Sequence, residues 1–251
     1  MRKRISDILY TVAGAALIVA VWFICAAVSG DDLLFPTPAD TVHALKACLK
    51  AGWFWRAFLK SGLRALVAFA VSLAEAGLCA FLGKTFRPVQ KILAPIVGTV
   101  RSVPTMSVIL ILIILLGGEY TPVVVAGLVV FPVLYSGLWA AMATIPRELD
   151  ETALLYAPSK PYRFFKVTLP LLMPSFSLTV AGALGLTLKL TVAAEVLAQT
   201  RQSIGLLMQQ SQISFDTGRL MALTIAVIVA SLLMEGLVWL VRRIFKWDQS
   251  V

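Results

Sequence analysis

Histidine is all but missing from this sequence, with His43 its single example. A Ser-His catalytic pair or a histidine-based metal cluster therefore has almost nothing to be built from, and His43 lies outside the apolar runs where intramembrane hydrolysis would need it. Cysteine is scarce as well. Cys25, Cys48 and Cys79 are odd in number, follow no paired spacing, and two of them sit within apolar runs. That pattern points to neither a disulfide framework nor a metal site. Charge is thin, with Asp, Glu, Lys and Arg making up 14% of residues, against about 25% in an ordinary soluble domain. Acidic residues are the scarcer kind, 13 against 22 Lys and Arg, which leaves a net charge of +9. No interleaving of basic and aromatic residues outside the apolar runs suggests a nucleic-acid surface. A basic excess is what cytoplasmic loops beside anionic lipid require.

What the chain has in quantity is apolar sequence. At 59% hydrophobic residues and a mean hydropathy of +0.90, its 251 residues read as a single all-α integral membrane domain, 1–251. Arg2, Lys3 and Arg4 precede an apolar run at about 8–28, longer than the roughly 7 to 15 residues of a secretory signal and long enough to span. It reads as an uncleaved first span, although Ala26, Ala27 and Ser29 are small enough for a cleavage site. Five further spans are expected at about 61–83, 92–117, 122–144, 170–197 and 221–241, the third containing Pro95 and Pro104. Between the first two lies a polar segment whose second half, from about Asp40 to Leu59, is amphipathic and expected along the outer surface. With the N-terminus inside, alternation puts both termini and the segments 84–91 and 145–169 in the cytoplasm. These hold Lys84, Arg87, Lys91, Arg147, Lys160, Arg163, Lys166, Arg242, Arg243 and Lys246, whereas the outer loops hold Lys46, Lys50, Arg56, Lys60, Arg201 and Arg219. The basic bias agrees with that orientation.

The segment 145–169 is a polar island between the fourth and fifth spans. Pro146 suits a first helical turn, and Glu148, Asp150 and Glu151 fall where the helix dipole favours negative charge. Leu149, Ala153 and Tyr156 form one apolar stripe, Pro158 ends the helix, and Ser159 can cap a second short helix that tolerates Pro161 near its start. Two short amphipathic helices at a membrane surface make a compact docking knob.

The spacing of this loop resembles the EAA motif of ABC-importer permeases. Glu151, Thr152 and Ala153 occupy the first triplet, Ala157 the following glycine position, and Val167, Leu169 and Pro170 the end. Thr152 and Ala157 depart from the motif, and Pro158 is expected to make the break that the glycine would otherwise allow. Over roughly residues 36–243 the chain is similar to the branch serving nitrate, sulfonate, taurine and thiamine-precursor importers. Pro36 and Pro38, Ser61 with Arg64, Arg101 with Pro104, Phe131 with Pro132, Ala194 with Glu195, and Gly205 occur in the expected order. The resemblance implies a type I importer permease in a bacterial inner membrane, with the loop as coupling helix and no cofactor of its own. It also implies a second permease copy as a homodimer, two ATPase subunits holding ATP and Mg, and an extracytoplasmic solute-binding protein. Lys189 departs from the branch, where an apolar or aromatic residue is expected.

Charges within the spans are the remaining signal, because they are costly there and commonly face a path or a partner. Glu75, Arg101 and Lys189 are the clear cases; Arg64, Glu195 and Glu235 lie nearer span ends. Arg101 sits ~13 Å into the third span at 1.5 Å per residue, with Pro104 three residues on. Two readings stand for it: a pathway cation, or a structural partner of Glu75 or of a carbonyl. Arg101, Pro104, Lys189, Glu195 and Glu75 are the candidate pathway residues; the cations Arg101 and Lys189, partly offset by Glu75, would favour a small anion, with thiamine or another pyrimidine precursor as the alternative solute. A secondary transporter or channel relaying through the same charges is the rival class, less well matched without an internal repeat. Gly77–Thr85, GLCAFLGKT, resembles a phosphate-binding loop but has five residues between its glycines instead of four and ends an apolar run. It reads as a helix terminator and a cytoplasmic lysine anchor.

Overall fold

A computed structural model describes residues 2–29, 35–143 and 159–244. The chain enters through α1 (Arg2–Ser29), whose outward residues from Leu9 to Val28 are mostly exposed. Trp22 Nε1 donates to the Pro36 carbonyl at 3.1 Å and so ties α1 to the start of α2 (Pro38–Lys50). Thr37 caps α2 by accepting from the Asp40 N–H at 3.2 Å, and Pro38 occupies the first turn, where its missing N–H is not needed.

The amphipathic stretch expected over 40–59 is not one surface element. It breaks at Ala51, and α3 (Gly52–Thr85) starts nine residues earlier than the second span was drawn. α3 buries Phe54, Ala57, Ser61, Ala65, Ala68, Ser72, Ala76, Ala80 and Gly83, a nearly unbroken stripe of small residues. Small side chains let neighbouring backbones approach closely, the commonest basis of helix packing in lipid. The segment resembling a phosphate-binding loop forms the last turns of this helix.

The third span differs most from expectation. Instead of one helix over 92–117, α4 (Arg87–Ser102) and α5 (Thr105–Leu116) meet at 94°. Pro104 has no N–H to continue the ladder and holds Val103 in extended backbone, φ −72° and ψ 129°. Pro95, inside α4, leaves that helix intact. Gly117 then caps α5 at φ 74°, a conformation open to glycine, and its N–H donates to the Ile113 carbonyl.

α6 (Thr121–Ala143), α8 (Leu169–Ala198) and α10 (Thr217–Ile244) complete the bundle, with α9 (Ile204–Ile213) capped by Ser203 between the last two. One core joins α3, α6 and α8 through Ala76, Leu134, Leu138, Leu172 and Phe176. A second, towards the α2 end, joins Cys48, Phe54, Leu188, Ile204 and Leu223. Before α8, the short α7 (Lys160–Arg163) has the Ser159 hydroxyl accepting from the Tyr162 N–H at 3.4 Å, the expected cap. A π-helical turn, Phe164–Thr168, carries it directly into α8, so Pro170 falls inside continuous helix. A proline there cannot donate to the carbonyl one turn back, and a widened turn accommodates the mismatch.

Among the described residues, four helices are long and apolar enough to cross a membrane: Gly52–Thr85, Thr121–Met142, Lys166–Ala198 and Thr217–Arg242. The bent pair α4 and α5 makes five if counted as one span. The molecule is thus an all-helical membrane protein with several apolar helices.

Candidate functional site

Three places carry the polar chemistry of this apolar chain. The first is a knot at the end of α8. Glu195 is wholly buried, and its Oε2 accepts from Ser61 Oγ at 2.7 Å and from the Gly205 N–H at 3.3 Å. Arg64 Nη1 reaches Glu195 Oε1 at 3.1 Å, while Arg64 Nη2 reaches Glu119 Oε2 and the Arg201 carbonyl, each at 3.2 Å. Ser61 Oγ also accepts from the Ile204 N–H at 3.0 Å, and Glu119 Oε1 accepts from the Arg201 N–H at 3.0 Å. Four parts of the chain meet here: α3, the turn between α5 and α6, the end of α8 and the start of α9.

The local backbone explains how they converge. α8 ends with Gln199 in the left-handed region, φ 50°, which turns the chain back so that Thr200 Oγ1 donates to the Gly118 carbonyl at 2.7 Å. A β-carbon on Gly205 would stand 2.7 Å from the Glu195 carbonyl carbon, so only glycine lets α9 begin this close to α8. A buried ion pair whose remaining acceptors are satisfied fixes geometry more than it adds stability. Glu195, expected as a pathway residue, is turned into protein and lines neither cavity described below. The sequence had marked Ser61, Arg64, Glu195 and Gly205 separately; Glu119 and Arg201 gave no signal beyond loop charge.

The second place is a cavity of about 330 Å³ between α4 and α6. Gln90, Ala94, Val97, Gly98 and Arg101 line it from one helical face of α4, and Tyr135, Ser136 and Trp139 from α6. Arg101 is exposed and reaches the Pro132 carbonyl at 3.5 Å; it does not pair with Glu75. Pro104 forms the corner beyond Arg101 and does not line the cavity. Glu75 on α3 and Lys189 on α8 are exposed, form no ion pair among the described residues, and lie outside this cavity. Of the expected pathway residues, then, only Arg101 lines it. A larger space of about 800 Å³ between α3, α6, α8 and α10 is lined almost wholly by apolar side chains. A charged solute there would lose its water without gaining a partner.

The third place is the docking end. Leu169 and Pro170 open α8, with Leu169 on the rim of the apolar space. Glu151, Thr152, Ala153, Ala157 and Pro158 lie outside the described residues.

Comparison with known proteins bears on all three places. Residues 76–246 match the family described as binding-protein-dependent transport system inner membrane component. The chain is 24% identical over 251 residues to a probable ABC transporter permease protein of Brucella abortus (strain 2308), covering 99% of each. It is 27% identical to the putative aliphatic sulfonates transport permease protein SsuC of Escherichia coli (strain K12), over 86% of this chain and 81% of that one. With the riboflavin transport system permease protein RibX of Chloroflexus aurantiacus it shares 25% over 93% of this chain and 88% of the other. The matched region runs from the last third of α3 to just past the end of α10, taking in the cavity, the docking end and the Glu119, Glu195 and Gly205 side of the knot, while Ser61 and Arg64 precede it. The chain belongs to the binding-protein-dependent transport system inner membrane component family and is a permease of the type I ABC importer class.

Proposed function

We propose that this permease forms, as a homodimer, the route for a small organic or inorganic anion such as a sulfonate or nitrate. A solute-binding protein delivers the anion to the outer face, and two ATPase subunits drive the passage. Each copy has six spans, α1 being the first and the bent α4 and α5 together the third, with both termini in the cytoplasm. The loop 145–169 docks on the ATPase through Glu151, Thr152, Ala153, Ala157 and Pro158, and passes the motion to α8 at Leu169 and Pro170. ATP and Mg are held by the partner subunits; this chain contributes no cofactor.

The observation that carries the anion reading is Arg101, a guanidinium within the bent third span that faces a cavity and has no carboxylate partner among the described residues. Lys189, exposed on α8 and likewise without an ion pair among those residues, adds a second positive charge. Such charges are costly in lipid, so they favour a pathway or a protein interface in the assembly. The similarity to a permease named for aliphatic sulfonates agrees with this. The relative named for riboflavin favours instead a heteroaromatic solute, in line with the thiamine-precursor alternative. Uptake by the complete system in proteoliposomes decides between them: ethanesulfonate or nitrate entering with ATP supports the anion reading. ATP-driven uptake of riboflavin or a thiamine precursor, with no anion entering, refutes it.

A further inference from the structure

The cavity between α4 and α6 sets one charged group, Arg101, among several polar ones, and its chemistry is narrower than the pathway reading requires. We infer that it is a binding site for a single small oxyanion of the sulfonate or carboxylate class, an inference that rests on the anion reading above. Arg101 supplies the positive charge at one end of the α4 face and Gln90 an amide at the other. Across from them Ser136 presents a hydroxyl that makes no hydrogen bond among the described residues. Trp139 Nε1 is fully enclosed, and its side-chain partner is the Tyr135 hydroxyl. No carboxylate lines the space.

An indole N–H donates only, a guanidinium donates only, and hydroxyls and an amide can donate as needed. The set is therefore complementary to an acceptor-rich anion and unsuited to a cation. The Trp139 N–H can donate only to the Tyr135 oxygen beside it, which leaves the Tyr135 O–H to donate to a group in the cavity. Gly83 explains why the indole is held there. A β-carbon on Gly83 would stand 3.1 Å from Trp139 Cζ2, so α3 closes behind the ring and limits its withdrawal from α4. At about 330 Å³ the space has room for a short sulfonate. Tyr135 and Trp139, ring centroids 6.0 Å apart and edge to face, would pack against the short carbon chain while the polar atoms hold the head group.

The test is equilibrium binding of radiolabelled ethanesulfonate to the permease–ATPase complex in nanodiscs, without the binding protein. Saturable binding is expected. Arg101→Gln should weaken it about tenfold or more, and Trp139→Phe and Ser136→Ala each by a smaller factor. Acetate should compete if the site reads the oxyanion head, whereas ethyl methyl sulfone, of similar shape and no charge, should not. Wild-type affinity in both Arg101→Gln and Trp139→Phe would overturn the inference. So would equal competition by the sulfone, or no binding to the wild-type complex. Failure here with anion uptake intact in the complete system would move the binding site elsewhere in an anion importer. Failure of uptake itself would instead remove the anion reading.

Discussion

Arg64→Ala should cost far more than the loss of a surface cation, because of what it leaves behind. Glu195 is wholly buried, and without Arg64 it keeps two donors, Ser61 Oγ and the Gly205 N–H, but no positive charge. Removing one partner of a buried pair typically destabilises by about 3–5 kcal/mol, since the remaining charge is uncompensated. The other ion pair of Arg64 adds little. Its partner Glu119 is about half exposed, and pairs of that kind contribute about 0–1 kcal/mol. The prediction is therefore a loss of about 3–5 kcal/mol, dominated by Glu195. Equilibrium unfolding of the permease in mixed micelles, followed by circular dichroism, would measure it. Glu195→Gln removes the buried charge while keeping one acceptor, so it should cost less, and Arg64→Ala combined with Glu195→Gln should be more stable than Arg64→Ala alone. A coupling of about 1–3 kcal/mol is expected for residues sharing one network. Arg64→Ala within about 1 kcal/mol of wild type, or strict additivity in the double variant, would refute the argument that the charge pair organises this end of the bundle.

Gly137→Ala should destabilise by about 1–3 kcal/mol and lower uptake, because the new β-carbon would stand 2.6 Å from Thr179 Oγ1 and 2.8 Å from Thr179 Cβ. Rotating the threonine cannot move its Cβ, so α6 and α8 must separate; Thr179→Gly should restore stability, and an unaltered Gly137→Ala variant would show that the crossing is looser. Burial pushes the Cys48 thiol above its ordinary pKa, with the Arg219 guanidinium opposing and Asp216 reinforcing the shift. The folded protein thus holds the neutral thiol, and the stability it contributes is full below about pH 8.5 and declines as pH rises beyond that. In a Cys25→Ser, Cys79→Ser background, maleimide at pH 8.5 should label Cys48 at least about tenfold more slowly in the folded complex than after unfolding in dodecyl sulfate. Equal rates would contradict the packing of α2. Glu151→Lys should abolish transport and weaken co-purification of the ATPase while membrane insertion persists; undiminished transport and association together would reject the docking role.

How much of this was legible in the sequence follows from how far each signal acts along the chain. Apolar run length and capping are local, so the fourth, fifth and sixth spans lie within a few residues of α6, α8 and α10, and Ser159 caps α7 as its position suggested. Proline effects are local in cause but not in outcome. Pro95 and Pro104 carry the same covalent constraint; one sits inside intact helix and the other marks a 94° corner. The residue before Pro95 stays helical whereas Val103 before Pro104 is extended, and α5 beyond it packs its Ile109 on Val125 of α6 and Ala194 of α8.

The sites follow the same rule with a sharper consequence. Ser61, Arg64, Glu195 and Gly205 could be picked out one by one because polar residues near span ends are rare enough to be conspicuous. That Glu195 is enclosed by protein depends on Ser61 and Arg64, more than 130 residues earlier in the chain. Arg101 was conspicuous for the same reason. Its companions were not, since Tyr135 and Trp139 four residues apart look like one more apolar stripe on a helix and Ser136 like a tolerated small residue. Only the arrangement of α4 against α6 turns that stripe into a wall of polar groups facing Arg101. A charge in an apolar run announces that something is recognised there. Which face of which neighbour completes the recognition is decided by a helix crossing that the charge itself does not encode.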